Sequence, residues 1–507
     1  MHAKVMVKSA LISVFNKENL SPIIKALKEL NIQIYATGGT KEFILEQGAA
    51  VIPVEEITDY PSILGGRVKT LHPKIFGGIL GRRENKDDLM QLQEYDIPQI
   101  DIVIVDLYPF EQTVKDSNSH EDIIEKIDIG GISLIRAAAK NYKDVLIIPS
   151  RNDYGFLLNL LKSKKGVTTL EDRKEMAAKA FAISSNYDSM INDYLSTKEP
   201  PSHFSKNLMN QKSLRYGENP HQKGAYYGNL EDVFVQLHGK ELSYNNLLDI
   251  DAALSLVKEF DEGVLAIFKH NNACGIANAE RSLLDAWNRA LAADPVSVFG
   301  GVIATNKTMD IDTASAINEL FVEIVLAPEY DEEALKILKS KKNRILLQTN
   351  DFEFEKWQYR SVLNGVLYQE HDSINVNEIN FATDNKPSDT EFDDLLFANK
   401  IVKQSKSNAI VIVKNKQLIA SGVGQTSRVD SLNQAIEKAK RFELNLEGAV
   451  MASDAFFPFP DCVEIASHAG IKAVIQPGGS INDQKSLDFC NKNGVSMVLT
   501  GIRHFKH

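Results

Sequence analysis

Residues 32–40, Ile-Gln-Ile-Tyr-Ala-Thr-Gly-Gly-Thr, decide the fold class of the N-terminal part of this chain. The first four predict a strand, which ends in the Thr-Gly-Gly-Thr turn at residues 37–40. Apolar residues 10–14 predict an earlier strand, and residues 21–30 place apolar side chains at helical spacing behind a Ser-Pro pair. A strand, a helix and a second strand in this order are typical of a parallel sheet.

The same alternation continues outward along the chain. Residues 100–105 and 145–148 are further apolar runs of strand length, and a helical pattern extends from residue 170 to about residue 195. The sequence therefore predicts an α/β domain with a mainly parallel sheet, in which ligands bind at the carboxyl ends of the strands.

A polar segment at residues 196–212, which contains Pro200 and Pro201, is the best linker candidate. Beyond it, helical stretches separate apolar runs that predict strands at residues 264–268, 301–304, 409–413, 449–452, 473–475 and 496–499. We therefore expect a first domain over residues 1–199 and a second over residues 200–507.

The second domain is long enough for two subdomains, which we expect at roughly residues 211–360 and 361–507. The polar, irregular stretch at residues 343–390 suggests the break between them. No short repeat is visible in the sequence.

Composition and net charge exclude several classes of protein. The chain has 507 residues and a formal net charge of −11, which argues against a general nucleic-acid binder but leaves a local basic pocket open. Its three cysteines are far apart, which excludes a disulfide scaffold and a four-cysteine zinc site and fits a reducing compartment. Without an apolar run of 18 residues or a signal-peptide core at the start, we expect a soluble cytoplasmic protein.

Two N-terminal segments are candidates for anion binding. The turn at residues 37–40 offers backbone N–H groups and hydroxyls at the start of a predicted helix, although it lacks the spacing of a Walker A loop. The segment at residues 65–73 places Arg67 and Lys69 on a glycine-supported loop, which suits a phosphate and a developing oxyanion. An ordinary turn and a solvated basic loop are the alternatives.

Weaker candidates follow in the same domain. Asp106 and Tyr108 come after a predicted strand, where a tyrosine can relay a proton or merely cap a core. Asp128 precedes a glycine pair that lets backbone approach a ligand, and Lys140 lies at the far end of a helix of small residues.

In the C-terminal half, Lys269 and His270 directly follow an apolar run. Histidine suits proton transfer near neutral pH, and the neighbouring lysine favours its neutral form; a surface Lys-His pair is the alternative. Residues 422–428 form a candidate phosphate turn that ends in Arg428. Residues 453–461 combine three phenylalanines with two carboxylates, which suits stacking of a flat heterocycle or simply a core.

Together these segments resemble a family of bifunctional purine-biosynthesis proteins. That family joins a transformylase, which acts on 5-aminoimidazole-4-carboxamide ribonucleotide (AICAR), to an IMP cyclohydrolase. The resemblance extends over essentially the whole chain, from Ser13 to the C-terminal Arg503-His504-Phe505-Lys506-His507.

The resemblance implies an α/β fold in both parts of the chain. It implies an N-terminal methylglyoxal-synthase-like domain with a parallel sheet, and a C-terminal transformylase of two cytidine-deaminase-like subdomains without their zinc. The chain agrees on zinc, because no His-x-Glu is followed by Pro-Cys-x-x-Cys.

The resemblance further implies that the C-terminal domain transfers a formyl group from 10-formyltetrahydrofolate to the 5-amino group of AICAR. His270 would be the base, Lys269 would stabilise charge or protonate the leaving nitrogen, and Asn408 would hold the imidazole. The implied nucleotide-binding positions are Arg215, Tyr216, Gly300, Glu323 and Arg428, and the implied folate-binding positions are Val429, Phe456, Phe459, Asp461, Ser480, Ile481 and Arg503.

For the N-terminal domain the resemblance implies ring closure of the formylated product, FAICAR, to IMP. Lys69 would stabilise the oxyanion, Tyr108 and Asp128 would manage protons, and Lys140 would be the proton acceptor. The implied nucleotide-binding positions are Ser13, Lys17, Thr37, Gly38, Gly39, Thr40, Arg67, Val68, Thr70, Asp106 and Ile129.

The ligands implied are AICAR, FAICAR, IMP and folate. A homodimer with transformylase sites shared between subunits is implied as well, and we expect no metal, no tightly bound cofactor, no nucleic acid and no membrane. A structural K+ is left open. A catalytically silent nucleotide sensor, or a chain that retains one of the two activities, is the alternative.

Five positions depart from the family's pattern. Ala273 stands where a proline is usual, Ser184 and Ser185 replace a His-Thr pair, Pro460 replaces an arginine and Glu323 an aspartate. None of these is a reacting group, so the sequence predicts that both sites are intact.

Overall fold

The computed structural model describes residues 4–196, 199–376 and 378–507, and it divides into two compact units, residues 1–208 and 209–507. The first unit therefore extends beyond the boundary expected at residue 199. Side chains just before residue 208 explain this, because they are hydrogen-bonded to Ser189. The Asn207 Nδ2 donates to Ser189 Oγ at 2.7 Å, and Ser205 Oγ lies 2.7 Å from Ser189 Oγ. Thr197 and Lys198 of the expected linker lie outside the described residues.

The first unit contains seven strands and ten α-helices among its described residues. The strands are β1 Val5–Met6, β2 Ser9–Val14, β3 Gln33–Ala36, β4 Ile52–Pro53, β5 Ile102–Asp106, β6 Leu146–Ile148 and β7 Val167–Thr168. The helices are α1 Ser21–Glu29, α2 Gly38–Glu46, α3 Val54–Thr58, α4 Pro73–Leu80, α5 Lys86–Glu94, α6 Phe110–Asp116, α7 His120–Ile124, α8 Gly130–Lys140, α9 Tyr154–Ser163 and α10 Leu170–Leu195.

Five of these strands form the expected parallel sheet, in the order β4-β3-β2-β5-β6. Strands β2 and β5 lie at its centre, and Leu11, Ile12, Val103 and Ile104 are fully buried there. Each such side chain contributes roughly 1.5–3 kcal/mol by leaving water. The prediction of an α/β domain with a parallel sheet is confirmed.

The second unit contains sixteen strands and eight α-helices among its described residues. The strands are β8 Gln211–Leu214, β9 Gly224–Tyr227, β10 Phe234–His238, β11 Val264–Lys269, β12 Asn272–Asn278, β13 Val302–Thr305, β14 Ile324–Ala327, β15 Ile345–Thr349, β16 Trp357–Val362, β17 Gly365–Glu370, β18 Asn380–Phe381, β19 Ile410–Val413, β20 Leu418–Gly422, β21 Val450–Ser453, β22 Ala473–Gln476 and β23 Ser496–Leu499. The helices are α11 Tyr244–Val257, α12 Leu283–Ala293, α13 Ile311–Asn318, α14 Glu332–Lys339, α15 Asp389–Lys403, α16 Arg428–Arg441, α17 Asp461–His468 and α18 Asp483–Asn493.

This unit is an internal duplication. Its two six-stranded sheets have the orders β10-β15-β14-β13-β11-β12 and β18-β23-β22-β21-β19-β20. In each, a hairpin leads to an antiparallel third strand and then to two parallel strands, and the earliest strand lies antiparallel at the far edge. The sequence did not show this repeat, because the two halves share topology rather than an obvious pattern of residues.

The subdomain boundary, expected at roughly residue 360, does not fall at that residue itself. It would cut β16, which pairs along its whole length with β17 in an antiparallel hairpin. That hairpin follows the last strand of the first sheet and precedes the first strand of the second, so the break between the halves falls outside residues 357–370.

The two sheets meet along β12 and β20. Ala277 forms an antiparallel bridge with Gln417, and the Asn278 N–H donates to the Lys416 carbonyl at 3.0 Å. Helices α11 and α15 share one hydrophobic core with both sheets, in which the Phe260 and Phe397 rings lie 4.8 Å apart. Across residues 4–196, 199–376 and 378–507, no helix has the length and apolarity needed to cross a membrane.

Candidate functional sites

The first unit has a cavity of about 580 Å³ at the carboxyl ends of β2, β3 and β5. This is the position that a parallel sheet favours for ligands. Its lining residues are Ser13, Val14, Phe15, Lys17, Thr37, Gly39, Thr40, Gly65, Gly66, Arg67, Lys69, Thr70, Asp106, Tyr108, Ile124, Glu125, Ile127, Asp128, Ile129, Gly130 and Gly131.

One side of this cavity is built for an anion. Helix α2 begins at Gly38, so its first backbone N–H groups lie at the cavity. Lys17 Nζ donates to the Val14 and Phe15 carbonyls, each at 2.8 Å. A Cβ on Gly66, where φ is +91°, would lie 2.6 Å from Lys69 Cε, so glycine gives that side chain its room.

The charges on this side act on one another. Burial lowers the pKa of Lys17; the Asp106 carboxylate opposes that shift and the Lys69 ammonium adds to it. Two lysines and a helix N-terminus around one cavity can hold a phosphate or a developing oxyanion.

The other side of the cavity carries groups for proton transfer. Asp128 Oδ1 accepts from the Gly131 N–H at 2.6 Å, and a Cβ on Gly131 would lie 2.6 Å from Asp128 Oδ2. Burial raises the pKa of Asp128, and the Asp106 charge adds to that effect. Burial and the Asp128 charge also raise the pKa of Tyr108. A carboxyl group with a raised pKa is suited to exchanging protons at neutral pH.

Sequence reasoning missed Tyr187, which holds this side in place. Its hydroxyl accepts from the Asp128 N–H at 2.9 Å and donates to the Lys126 carbonyl at 2.7 Å. Tyr187 lies on α10, in the segment examined for a His-Thr pair, and no local signal marked it. Glu125, which pairs with Arg67 at the rim, was missed as well.

Not every predicted residue lies at this cavity. Gly38 and Val68 are chain neighbours of lining residues and do not line it themselves. Lys140 ends α8, a helix of 11 residues whose length is about 16 Å. It lines a second cavity of about 760 Å³ with Arg136, so the structure does not bring it to the other groups of the first cavity.

In the second unit, strand direction gathers the predicted residues at one edge of the paired sheets. Tracing the pairing from β11 through β12, β20 and β19 places the ends of β11, β20, β21, β22 and β23 at the same edge as the starts of β12, β13, β14 and β19. We call it the site edge. It receives Lys269, His270, Gly300, Glu323, Asn408, Arg428, Val429, Phe456, Phe459, Asp461, Ser480, Ile481 and Arg503.

A first cluster on the site edge surrounds Lys269. Its Nζ donates to the Phe299 carbonyl at 2.8 Å and the Gly300 carbonyl at 2.9 Å. His270 follows in an exposed two-residue turn at φ +51°. Glu323 accepts from Lys240 Nζ at 2.8 Å and from Asn246 Nδ2 at 3.2 Å, so its carboxylate is already held by two groups that sequence reasoning missed.

A second cluster surrounds Arg428, the first residue of α16. Its guanidinium pairs with the fully buried Asp454 and donates to Asn408 Oδ1 at 3.0 Å. Asp454 Oδ2 is buried and has no hydrogen-bond partner in the described part of the chain. Asp454 was present in the predicted aromatic segment but was not singled out, because a buried carboxylate cannot be recognised from sequence.

The aromatic segment divides into core and surface. Phe457 is fully buried, whereas Phe456 and Phe459 are 38% and 57% exposed. Ile481 is fully exposed, and the Arg503 guanidinium lies 4.4 Å from the Phe505 ring centre. The two exposed phenylalanines are therefore free to stack on a ligand.

Arg215 and Tyr216 do not belong to the two six-stranded sheets: they follow β8 in the small β8–β9 hairpin, with the guanidinium 5.6 Å from the ring centre. Asn245 at the start of α11 donates to the Glu218 carbonyl at 3.1 Å, which anchors this loop beside the Glu323 contacts.

Two of the departures from the family's pattern have defined places in the fold. Ser184 is buried and accepts from Arg136 Nη1 at 3.2 Å, while Pro460 precedes α17. Within residues 4–196, 199–376 and 378–507, no group of three or more His, Cys, Asp or Glu side chains is placed to hold a metal ion.

These features define a class: an α/β chain with a polar nucleotide-sized cavity in a parallel-sheet unit and a second polar site on a duplicated unit. A family model described as "AICARFT/IMPCHase bienzyme" matches residues 138–438, and an "MGS-like domain" model matches residues 19–133.

Curated relatives match the chain over its whole length. A protein of Bacteroides thetaiotaomicron, named "Bifunctional purine biosynthesis protein PurH", is 58% identical over 99% of both chains. One of Persephonella marina with the same name is 48% identical over 99% of this chain and 100% of its own length. The chain belongs to the AICARFT/IMPCHase bienzyme family, and the fold expected from the resemblance is confirmed.

Proposed function

We propose that this chain catalyses two consecutive steps of IMP synthesis, as phosphoribosylaminoimidazolecarboxamide formyltransferase and IMP cyclohydrolase. It would transfer a formyl group from 10-formyltetrahydrofolate to AICAR, and then close the FAICAR ring to IMP with loss of water. The observation that carries the proposal is the family membership, which extends over both units at up to 58% identity among the relatives described.

Formyl transfer is assigned to the site edge. The 5-amino nitrogen of AICAR attacks the formyl carbon, forms the new C–N bond and loses a proton to His270, while the bond to the folate nitrogen breaks. Lys269 has two of its three N–H groups on backbone carbonyls, which leaves one for the developing charge or the leaving nitrogen. Asn408 and Arg428, bonded to each other, are assigned to the substrate, and the exposed Phe456 and Phe459 to the folate.

Ring closure is assigned to the cavity of the first unit. The carboxamide nitrogen of FAICAR attacks the formyl carbon, and the oxygen leaves as water. Lys69 stabilises the oxyanion, and Asp128 and Tyr108, both with raised pKa values, exchange the protons. Lys17 and the start of α2 bind the phosphate. Lys140 is not assigned a step in this cavity, because it lines another one.

The ligands proposed are AICAR, FAICAR, IMP and folate, with 10-formyltetrahydrofolate as a cosubstrate and no tightly bound cofactor. We also propose a homodimer and a cytoplasmic location. The three cysteines, all buried and unpaired, support a reducing compartment. Binding of a structural K+ can be measured on the same preparation, separately from catalysis.

The experiment follows tetrahydrofolate release and IMP formation separately, in wild type, His270→Ala and Lys69→Ala. Wild type should give both products, His270→Ala should stop tetrahydrofolate release, and Lys69→Ala should accumulate FAICAR after subtraction of spontaneous closure. If wild type binds AICAR but releases no tetrahydrofolate, the transferase assignment is wrong and a nucleotide sensor replaces it.

A further inference from the structure

The duplication of the second unit allows residues of the two halves to be matched one by one. Ser243 and Ser388 cap α11 and α15 in the same way, each with a capping box. The hairpins that follow have the same irregularity, since the register shifts between Ile267 and Phe268 in one and between Ile412 and Val413 in the other. The matched residues lie 145 positions apart (243 and 388, 267 and 412).

Each hairpin closes with a two-residue turn in which both residues have positive φ. They are His270 and Asn271 at +51° and +63°, and Asn415 and Lys416 at +52° and +49°. At positive φ, glycine avoids strain and asparagine tolerates it, and each turn contains one asparagine and no glycine. The conformation of each turn also has support from outside the turn.

That support is an aspartate at the same position of the preceding helix. Asp394 accepts from the Asn415 N–H at 2.7 Å and the Lys416 N–H at 2.5 Å. Asp249, which lies 145 positions earlier, accepts from the Asn271 N–H at 2.7 Å. One carboxylate thus supports each turn, with two hydrogen bonds in the second half and one in the first.

The two aspartates differ in what surrounds them. The turn held by Asp394 lies at the edge opposite the site edge, because β19 runs away from the site edge. Asp249 instead faces the site: burial raises its pKa, the Asn271 hydrogen bond and the charges of His270 and Lys269 oppose that shift, and Glu323 adds to it. The same device therefore holds the residues of the proposed formyl transfer in one half only.

We propose that Asp249 is a positioning residue for formyl transfer, which fixes the His270 turn beside Lys269 through its hydrogen bond to Asn271. The inference rests on the proposed function, since it concerns the geometry of the proposed base. The hairpin pairing of β11 with β12 and a hydrogen bond from Asn272 Nδ2 to the His270 carbonyl at 2.9 Å also hold this turn, but among the described residues only the Asp249 contact ties it to α11. Misplacement of a reacting group by about 1 Å can lower a rate about a hundredfold.

The test compares three substitutions of Asp249 with a matched control. Asp249→Ala removes the acceptor, Asp249→Asn keeps an acceptor oxygen without the charge, and Asp249→Glu keeps the charge but moves it by one methylene. Asp394→Ala removes the equivalent support at the opposite edge. The assay measures kcat and KM for AICAR in formyl transfer, with IMP formation from FAICAR by the other unit as the control for intact protein.

We expect Asp249→Ala and Asp249→Glu to lower kcat about 10- to 100-fold with KM for AICAR changed less than about threefold. Asp249→Asn should stay within about threefold of wild type, because it still accepts from Asn271. Asp394→Ala should leave kcat within about twofold. If Asp249→Ala does not fold, the test is whether Asp249→Asn has a higher kcat than Asp249→Glu.

The inference is overturned if Asp249→Ala keeps its kcat, if Asp394→Ala lowers kcat equally, or if Asn is no better than Glu. Hydrogen exchange of the peptide containing Asn271 separates this failure from failure of the function. If exchange is faster in Asp249→Ala but the wild type releases no tetrahydrofolate, Asp249 does support the turn. The proposed function and the catalytic part of the inference are then both overturned.

Discussion

The two hairpin turns of the second unit, His270–Asn271 and Asn415–Lys416, have the same backbone and different chemistry. In both, the preceding lysine donates to a backbone carbonyl, Lys269 to Phe299 and Lys414 to Glu447. A glycine with positive φ follows each of those carbonyl residues, Gly300 at +66° and Gly448 at +75°. The lysine contact, the glycine and the supporting aspartate are therefore parts of the scaffold, whereas the histidine occurs in one half only.

The largest expected effect comes from giving the first turn the residue of the second. His270→Asn should lower formyl transfer about 100- to 10,000-fold, because it keeps the positive φ but removes the base. Tetrahydrofolate release measures this, and IMP formation from FAICAR should not change. The reciprocal Asn415→His should leave both rates unaltered. A His270→Asn enzyme with more than about a tenth of the wild-type rate would show that another group is the base.

The second-largest difference is expected between substitutions of the matched lysines, Lys269 and Lys414. Lys269→Met should lower kcat of formyl transfer about 100-fold, the usual effect of removing one donor to a developing charge. Lys414→Met removes the equivalent scaffold contact at the opposite edge and should change kcat less than about twofold, with some loss of unfolding free energy. Equal losses of kcat in the two variants would mean that the lysine serves only the scaffold.

Substitutions of Gly300 and Gly448 distinguish backbone strain from displacement of Lys269. Alanine at Gly300 or Gly448 should cost about 1–2 kcal/mol of unfolding free energy, since both have positive φ. A Cβ on Gly300 would also lie 3.2 Å from Lys269 Nζ, whereas at Gly448 the space is open. Only Gly300→Ala should therefore reduce formyl transfer, by roughly tenfold. Denaturant unfolding and kcat, measured on both variants, test this; an equal effect on kcat contradicts it.

The smallest effect concerns pH and stability. Burial raises the pKa of Asp394 above 3.8, so the folded chain binds the proton more tightly than the unfolded chain. Stability from this group is greatest below pH 3.8, falls as pH rises to the raised pKa and is constant above it. The fall amounts to about 1.4 kcal/mol for each unit between the two pKa values.

Asp394→Asn should abolish that fall, which urea unfolding of both proteins between acid and neutral pH would detect. A wild-type stability that rises over this range relative to Asp394→Asn would contradict the sign of the shift.

The comparison also shows which features sequence could supply. The bounds of strands with continuous apolar runs were predicted closely; residues 496–499, for example, coincide with β23. The helix at residues 170–195 was recognised in full because its periodicity is long and its start has a capping pair. The duplication was not recognised, because matched residues such as His270 and Asn415 need agree only in backbone conformation.

The candidate sites show the same division. The motif at residues 65–73 and the Lys-His pair carried their chemistry in the residue types themselves. Asp249, Asp454 and Tyr187 did not, because a carboxylate or hydroxyl acquires its role from partners far along the chain. Lys140 shows the opposite case: it ends α8, which begins two residues after Asp128, but it does not line the cavity that Asp128 lines.

The sequence by itself determined the elements, the parallel sheet of the first unit and the reactive residues, since apolar periodicity, turn formers and side-chain chemistry are local properties. Only the tertiary structure decided that residues from nine different strand ends meet at one edge of the second unit, since this depends on strand direction and pairing between residues more than a hundred positions apart. It also decided which aspartate supports the proposed base, because a hydrogen bond between α11 and the hairpin turn forms only when the chain has folded.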